Sequence, residues 1–199
     1  MTIAVNRTVE GSQAARRAMI DSQLRTSGVN EPFVLAAMMR VAREDFVPAA
    51  MKSSAYIDRA IALDNGRALA APLFHGKMLA EAAPQSSDSV LLIGDGNGYL
   101  AALLRPIVGS LTAVAPGEKV EAPQDGYSLI LIDGAIEILP ETVVAALREG
   151  GRIVTGLAQR SVTQIAFGRK SAGRVALLAL AEIGIPVLPE FAAPKRWSF

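Results

Sequence analysis

The stretch Val90–Ala102, VLLIGDGNGYLAA, constrains the chain more than any other. Val90, Leu91, Leu92 and Ile93 are apolar without interruption, the pattern of a strand buried on both faces of a parallel sheet. Gly94, Gly96 and Gly98 then alternate with Asp95 and Asn97, and from Tyr99 the pattern becomes helical, with Tyr99, Ala102 and Leu103 on one face. Glycine reaches backbone angles closed to other residues and lets a ligand approach the main chain. A strand, a glycine turn and a helix start predict a site for a nucleotide-like ligand at the carboxyl end of the strand. A tight turn without a ligand is the alternative.

The spacing narrows the ligand. A dinucleotide fingerprint, G-x-G-x-x-G, would put its third glycine where this chain has Tyr99. That substitution argues against a nicotinamide-dependent oxidoreductase. The spacing present, G-x-G-x-G, resembles the first motif of the S-adenosylmethionine-dependent methyltransferases.

At 199 residues and 51% hydrophobic content, the chain can bury one full α/β core. A formal net charge of +1 gives no reason to expect nucleic acid or an anionic membrane as partner. The absence of cysteine excludes disulfides, a thiolate nucleophile and cysteine metal sites. The start, MTIAVNRTVEGSQ, lacks an apolar run of signal-peptide length, and Val175 to Leu188 is interrupted by Glu182, Gly184 and Pro186. The expectation is a cytoplasmic protein with no membrane span.

Before the glycine turn the sequence predicts helices. The first runs from a Ser12 cap to about Ser27, closed by Gly28. The second is opened by Asn30 and Pro32 and ended by Phe46-Val47-Pro48, with Val34, Ala37, Met38 and Val41 as its buried stripe. A third starts at Pro72 and stops by Pro84. After the turn, Leu111–Val114, Tyr127–Asp133 and Gly151–Thr155 read as strands. Pro140 to Gly150 brackets a helix, and Thr163–Phe167 with Arg174–Leu180 forms an antiparallel hairpin. The alternation implies a doubly wound α/β sheet with mostly parallel strands, in one domain over 1–199. Residues 1–84 form its helical part and 85–199 its sheet.

The ordered whole resembles the protein-L-isoaspartate O-methyltransferases. The likeness rests on Met19-Ile20-Asp21-Ser22-Gln23-Leu24-Arg25, on Val34 to Pro48 with Ala55-Tyr56-x-Asp58, on Leu91 to Tyr99, and on Pro140 to Val154. It implies a Rossmann-like methyltransferase fold and transfer of a methyl group from S-adenosylmethionine to isoaspartyl carboxylates of damaged proteins. It also implies a cofactor seated against Gly94, Asp95, Gly96, Asn97, Gly98, Tyr99 and Asp133. Catalysis of this kind is mostly positioning of the acceptor carboxylate against the methyl carbon.

The chain departs from the family where that positioning is done. The family's substrate loop, T-I-S-Q-P, corresponds to Ala68-Leu69-Ala70-Ala71-Pro72, preceded by Arg67. Ala68, Ala70 and Ala71 carry no side-chain donors, and losing one preorganised polar contact can cost on the order of 10²–10³ in rate. Arg67 reads as a substitute carboxylate binder or as a solvated loop arginine. The family's ribose-binding acid after the second strand is here Ala115, with Glu118 and Glu121 nearby, and its acid in the central strand is Leu92. Asp95 either faces the ligand's amino group or caps the next helix. His75, the only histidine, reads as a core residue.

Between the strand ending at Val114 and the one starting at Tyr127, residues 115–126 have no room for the family's helix and third strand. Their extended reach of roughly 40 Å suffices to cross the central strand. The sheet is therefore expected to be one strand and one helix short, leaving Leu111–Val114 at an edge. The surface of Leu111, Ala113 and the Tyr99–Leu104 helix needs a cover, either the N-terminal helix or a second copy in a homodimer. The functional expectation is a family member with impaired or lost catalysis and weak or lost S-adenosylmethionine binding. Its partner is a protein or peptide substrate if active, and the alternative is a non-catalytic binding or scaffold protein. No metal site is expected. The Trp197 and Phe199 tail, beside Lys195 and Arg196, either packs on the domain or docks a partner.

Overall fold

The computed structural model describes residues 2–194, with side chains from residue 11 onward; the Trp197/Phe199 tail lies outside these residues. Its helices are α1 (Thr2–Met19), α2 (Pro32–Arg40), α3 (Pro72–Ala82), α4 (Tyr99–Leu104) and α5 (Glu141–Ala146). A short antiparallel ribbon pairs β1 (Ile61–Ala62) with β2 (Ala68–Leu69). The main sheet contains β3 (Ser89–Ile93), β4 (Ser110–Val114), β5 (Tyr127–Ile136), β6 (Leu147–Gln159), β7 (Val162–Ser171) and β8 (Arg174–Glu182).

The six main strands lie in the order β4-β3-β5-β6-β7-β8. β3 pairs in parallel with β4 and β5, β5 in parallel with β6, and the last two pairings are antiparallel. This is the expected doubly wound architecture with its terminal hairpin. The crossover 115–126 contains turns but no helix or strand, and it carries the chain from β4 past β3 to β5. β4 is therefore an edge strand, as anticipated.

Alternation along the central strands separates two cores. Val90, Leu92, Leu129 and Leu131 face a large cluster shared with α2, α3 and α4. Leu91, Ile93, Ile130 and Ile132 face a smaller one with Val143 and Ala146 of α5 and with Leu188 and Phe191. Each central strand is buried on both sides, which is why these strands read as unbroken apolar runs.

Four expectations need correction. α1 begins upstream of Ser12, so Ser12 is a helix-interior residue rather than a cap, and the helix continues into a π-turn at Ile20–Leu24 and a 3-10 turn at Arg25–Ser27. Gly28, at φ 84°, does close it. α2 ends at Arg40, and Arg43–Phe46 form a separate 3-10 turn; Val41 is extended, because the chain turns there to bury Arg43. β6 is far longer than Gly151–Thr155 and turns into β7 through Arg160 and Ser161, both at positive φ (49° and 66°). Neither arginine nor serine is usual at positive φ in a two-residue hairpin turn, so the sequence carried no signal. By contrast, Ala172-Gly173 closes the β7–β8 hairpin as read. Finally, Tyr99, Leu100, Ala101, Leu103 and Leu104 of α4 are buried within the single chain, so this helix needs no second copy to cover it.

Candidate functional site

The carboxyl ends of β3 and β5 meet where the strand order reverses, the usual place for a ligand in an open α/β sheet. A cleft of about 1050 Å³ opens there, lined by Gly94–Tyr99, by Ala113 of β4 with Ala115 and Pro116 after it, by Asp133 of β5, by Asp45 and Phe46, by Ala62, Leu63 and residues 65–69, and by Pro186–Glu190.

The glycine turn is shaped by close approach rather than by unusual angles, since Gly94, Gly96 and Gly98 are not among the positive-φ residues. A Cβ on Gly94 would stand 3.0 Å from Asp133 Cβ, and one on Gly98 would stand 3.0 Å from Asp95 Cβ. Asp95 Oδ1 accepts the Asn97 N–H at 2.8 Å. The Asp95 carboxylate closes the turn through this bond, and the N-cap position of α4 is Gly98.

Asp133 owes its orientation to a bulge. Leu131 pairs with Val154 and Ala135 with Gly156, so Ile132, Asp133 and Gly134 face the single residue Thr155. Bulges re-aim side chains and are frequent beside active sites. Thr155 Oγ1 donates to the displaced Gly134 carbonyl at 3.3 Å, and the Asp133 side chain remains 19% exposed at the cleft.

Behind Asp133 lies a buried chain of polar groups. His75 Nε2 is 2.9 Å from Asp133 Oδ1, and Arg43 Nη1 is 3.4 Å from His75 Nδ1. A guanidinium can only donate, so Nδ1 accepts and the tautomer inferred from this network carries its proton on Nε2, which donates to Asp133. Arg43 also donates to the carbonyls of Ala55 and Ala70, and its guanidinium lies 5.1 Å from the Tyr99 ring centroid. Burial lowers the Arg43 pKa to about 10, against the opposing pull of Tyr99 and Asp133, so it remains a cation at neutral pH. His75 is thus buried as expected, but it also supports a carboxylate at the cleft, a pairing that sequence separation concealed.

The opposite wall is poorer in donors. Ala68 lines the cleft, whereas Ala70 and Ala71 are buried and outside its lining. Arg67 is neither free nor fully solvated: its Nη2 is 2.8 Å from Glu190 Oε1 in the C-terminal segment. Glu118 is exposed and accepts the Ala115 N–H at 3.1 Å, and Glu121 is exposed beside Lys119. Among the described residues no group of three or more histidine, cysteine or acidic side chains could hold a metal, and no helix is long and apolar enough to cross a membrane.

The family model described as protein-L-isoaspartate(D-aspartate) O-methyltransferase matches residues 14–121, more than half of the chain. The chain belongs to this family. The match ends within the shortened crossover. Among relatives in the family, the protein-L-isoaspartate O-methyltransferase of Koribacter versatilis is 30% identical, over 87% of this chain and 90% of that protein. That of Methanoculleus marisnigri is 27% identical, over 88% and 92%. The fold is shared with a Plasmodium falciparum protein described as a putative protein-L-isoaspartate O-methyltransferase in complex with S-adenosyl-L-homocysteine. That comparison has a TM-score of 0.68 at 14% identity, over 90% of this chain and 98% of that one. A second solved protein-L-isoaspartate O-methyltransferase has a TM-score of 0.67 at 18% identity, over 87% and 65%.

Proposed function

We propose that the cleft binds S-adenosylmethionine and that its capacity to methylate an isoaspartyl carboxylate is reduced or lost. When bound, this cofactor supplies an electrophilic methyl group on a sulfonium centre. The residues fit such a ligand: the cleft is of ligand size, backbone borders it along the glycine turn, and the carboxylates of Asp95 and Asp133 suit a cationic guest. Gly94, Asp95, Gly96, Asn97, Gly98, Tyr99 and Asp133 are the residues that would hold it.

The observation carrying the reduced activity is the acceptor side. Ala68 offers no side-chain donor, and the Arg67 guanidinium is engaged by Glu190. An isoaspartyl carboxylate would find no free side-chain donor there to position it. Those same features favour, as a second reading, a non-catalytic protein that retains the pocket for binding. An active member would act on protein or peptide substrates bearing isoaspartyl residues.

Calorimetry and a methanol-release assay test the proposal together. Ala115 offers the ribose no carboxylate, and a charge-assisted hydrogen bond is worth roughly 1.5–3 kcal/mol, or about ten- to a hundredfold in affinity. We expect weak S-adenosylmethionine binding that Ala115→Glu tightens, and no methylation of an isoaspartyl peptide above background. Low-micromolar binding with turnover comparable to ordinary family members would refute the reduced-activity reading.

A further inference from the structure

We propose that Asp133 is the cleft's receptor for the α-ammonium group at the amino-acid end of the ligand, with His75 as its positioning residue. This rests on the reading that an S-adenosyl compound occupies the cleft.

The β5 bulge removes Asp133 from the ladder and presents its carboxylate beside Gly94, the first glycine of the turn. Oδ1 is taken by His75 Nε2, while Oδ2 has no hydrogen-bond partner among the described residues. An ionised carboxylate has several acceptor sites and no donor, so the open oxygen calls for a group bearing N–H or O–H. The charged lining sharpens the choice. Asp45, Asp95, Asp133 and Glu190 border the same cleft, and among the described lining residues Arg67 is the only base, already paired with Glu190. A cation is therefore favoured beside the open Asp133 oxygen. An S-adenosyl amino acid carries such a cation in its α-ammonium, and the glycine turn beside Asp133 leaves backbone room for that end of the molecule.

His75 acts through Asp133. Its ring is fully buried, held on one side by Arg43 and spent on the other in fixing Oδ1, so it touches no ligand itself. With Oδ1 anchored, Oδ2 is aimed without loss of side-chain entropy on binding.

The probes are S-adenosylhomocysteine and 5′-methylthioadenosine, which share the nucleoside thioether but differ in the amino-acid end. Ligand-observed NMR titration reads both, including millimolar affinities. Asp133→Asn keeps an acceptor for His75 and removes the charge. It should weaken S-adenosylhomocysteine about ten- to a hundredfold and leave 5′-methylthioadenosine unchanged. His75→Leu should lose the same selectivity with Asp133 still present, and His75→Gln, which retains an N–H, should restore part of it. Equal weakening of both probes, or no change in either, would overturn the assignment while leaving the methyl-donor reading intact. Failure of the wild-type chain to bind either probe would overturn both.

Discussion

Two aspartates, Asp133 and Asp88, each meet a buried partner network at opposite ends of the central sheet, and they differ in one respect. Asp88, before β3, is saturated. Its Oδ1 accepts from Ser128 Oγ at 2.6 Å and Arg152 Nη1 at 3.1 Å, and its Oδ2 from Arg152 Nη2 at 2.7 Å and the Gln85 N–H at 2.8 Å. Arg152 also donates to the carbonyls of Ala82 and Ala83, which closes the end of α3. Burial alone would raise the Asp88 pKa, but the Arg152 and Ser128 hydrogen bonds outweigh it and hold the carboxyl at about 2, below 3.8. Asp133, at the carboxyl end, has one oxygen bound and one facing a cleft. A saturated carboxylate is structure; a half-used one, aimed by a bulge, is available to a ligand.

The largest effect that would test this contrast comes from the support beneath Asp133. Arg43→Ala would strand the Ala55 and Ala70 carbonyls and open a cavity under Tyr99. A loss of about 3–5 kcal/mol is expected, on the scale of breaking buried ionic networks, read by urea denaturation. A loss below about 1 kcal/mol would mean that the network is incidental.

Asp88→Asn should cost about 2 kcal/mol at neutral pH. The folded pKa is depressed, so the wild-type contribution is complete above the unfolded value of 3.8 and drains away as pH falls through about 2. Wild type and variant should therefore converge in stability between about pH 4 and 2; a constant gap across that window would contradict the assignment.

Asp133→Asn, by the same denaturation, should cost less than about 1 kcal/mol, because the amide oxygen still accepts from His75. If it destabilises the fold as much as Asp88→Asn, Asp133 is structural and the contrast fails.

The smallest effect concerns the wall facing Asp133. Glu190→Gln breaks an ion pair with Arg67 that is partly open to solvent, so a stability change of at most about 0.5 kcal/mol is expected. A larger change would make the C-terminal segment a structural clasp.

The sequence by itself determined the strand–turn–helix core, the helix starts at Pro32 and Pro72, the β7–β8 hairpin and the short crossover. In each, the signal is local: an apolar run, a proline at a helix start or a glycine in a turn dictates the conformation of its own segment. Family membership was legible for the same reason, since its motifs are contiguous. Only the tertiary structure decided what the site is made of. Arg43, His75 and Asp133 are separated by 32 and 58 positions, and they meet only where α3 and the Arg43–Phe46 turn pack over the sheet. Arg67 and Glu190 likewise meet only because the C-terminal segment returns along the end of β5, where Ala135 pairs with Val187. A bulge depends on the register of two strands, so no property of Ile132-Asp133-Gly134 alone could announce it. Periodicity records which way a residue faces within its own element; what it faces is a property of the assembled sheet.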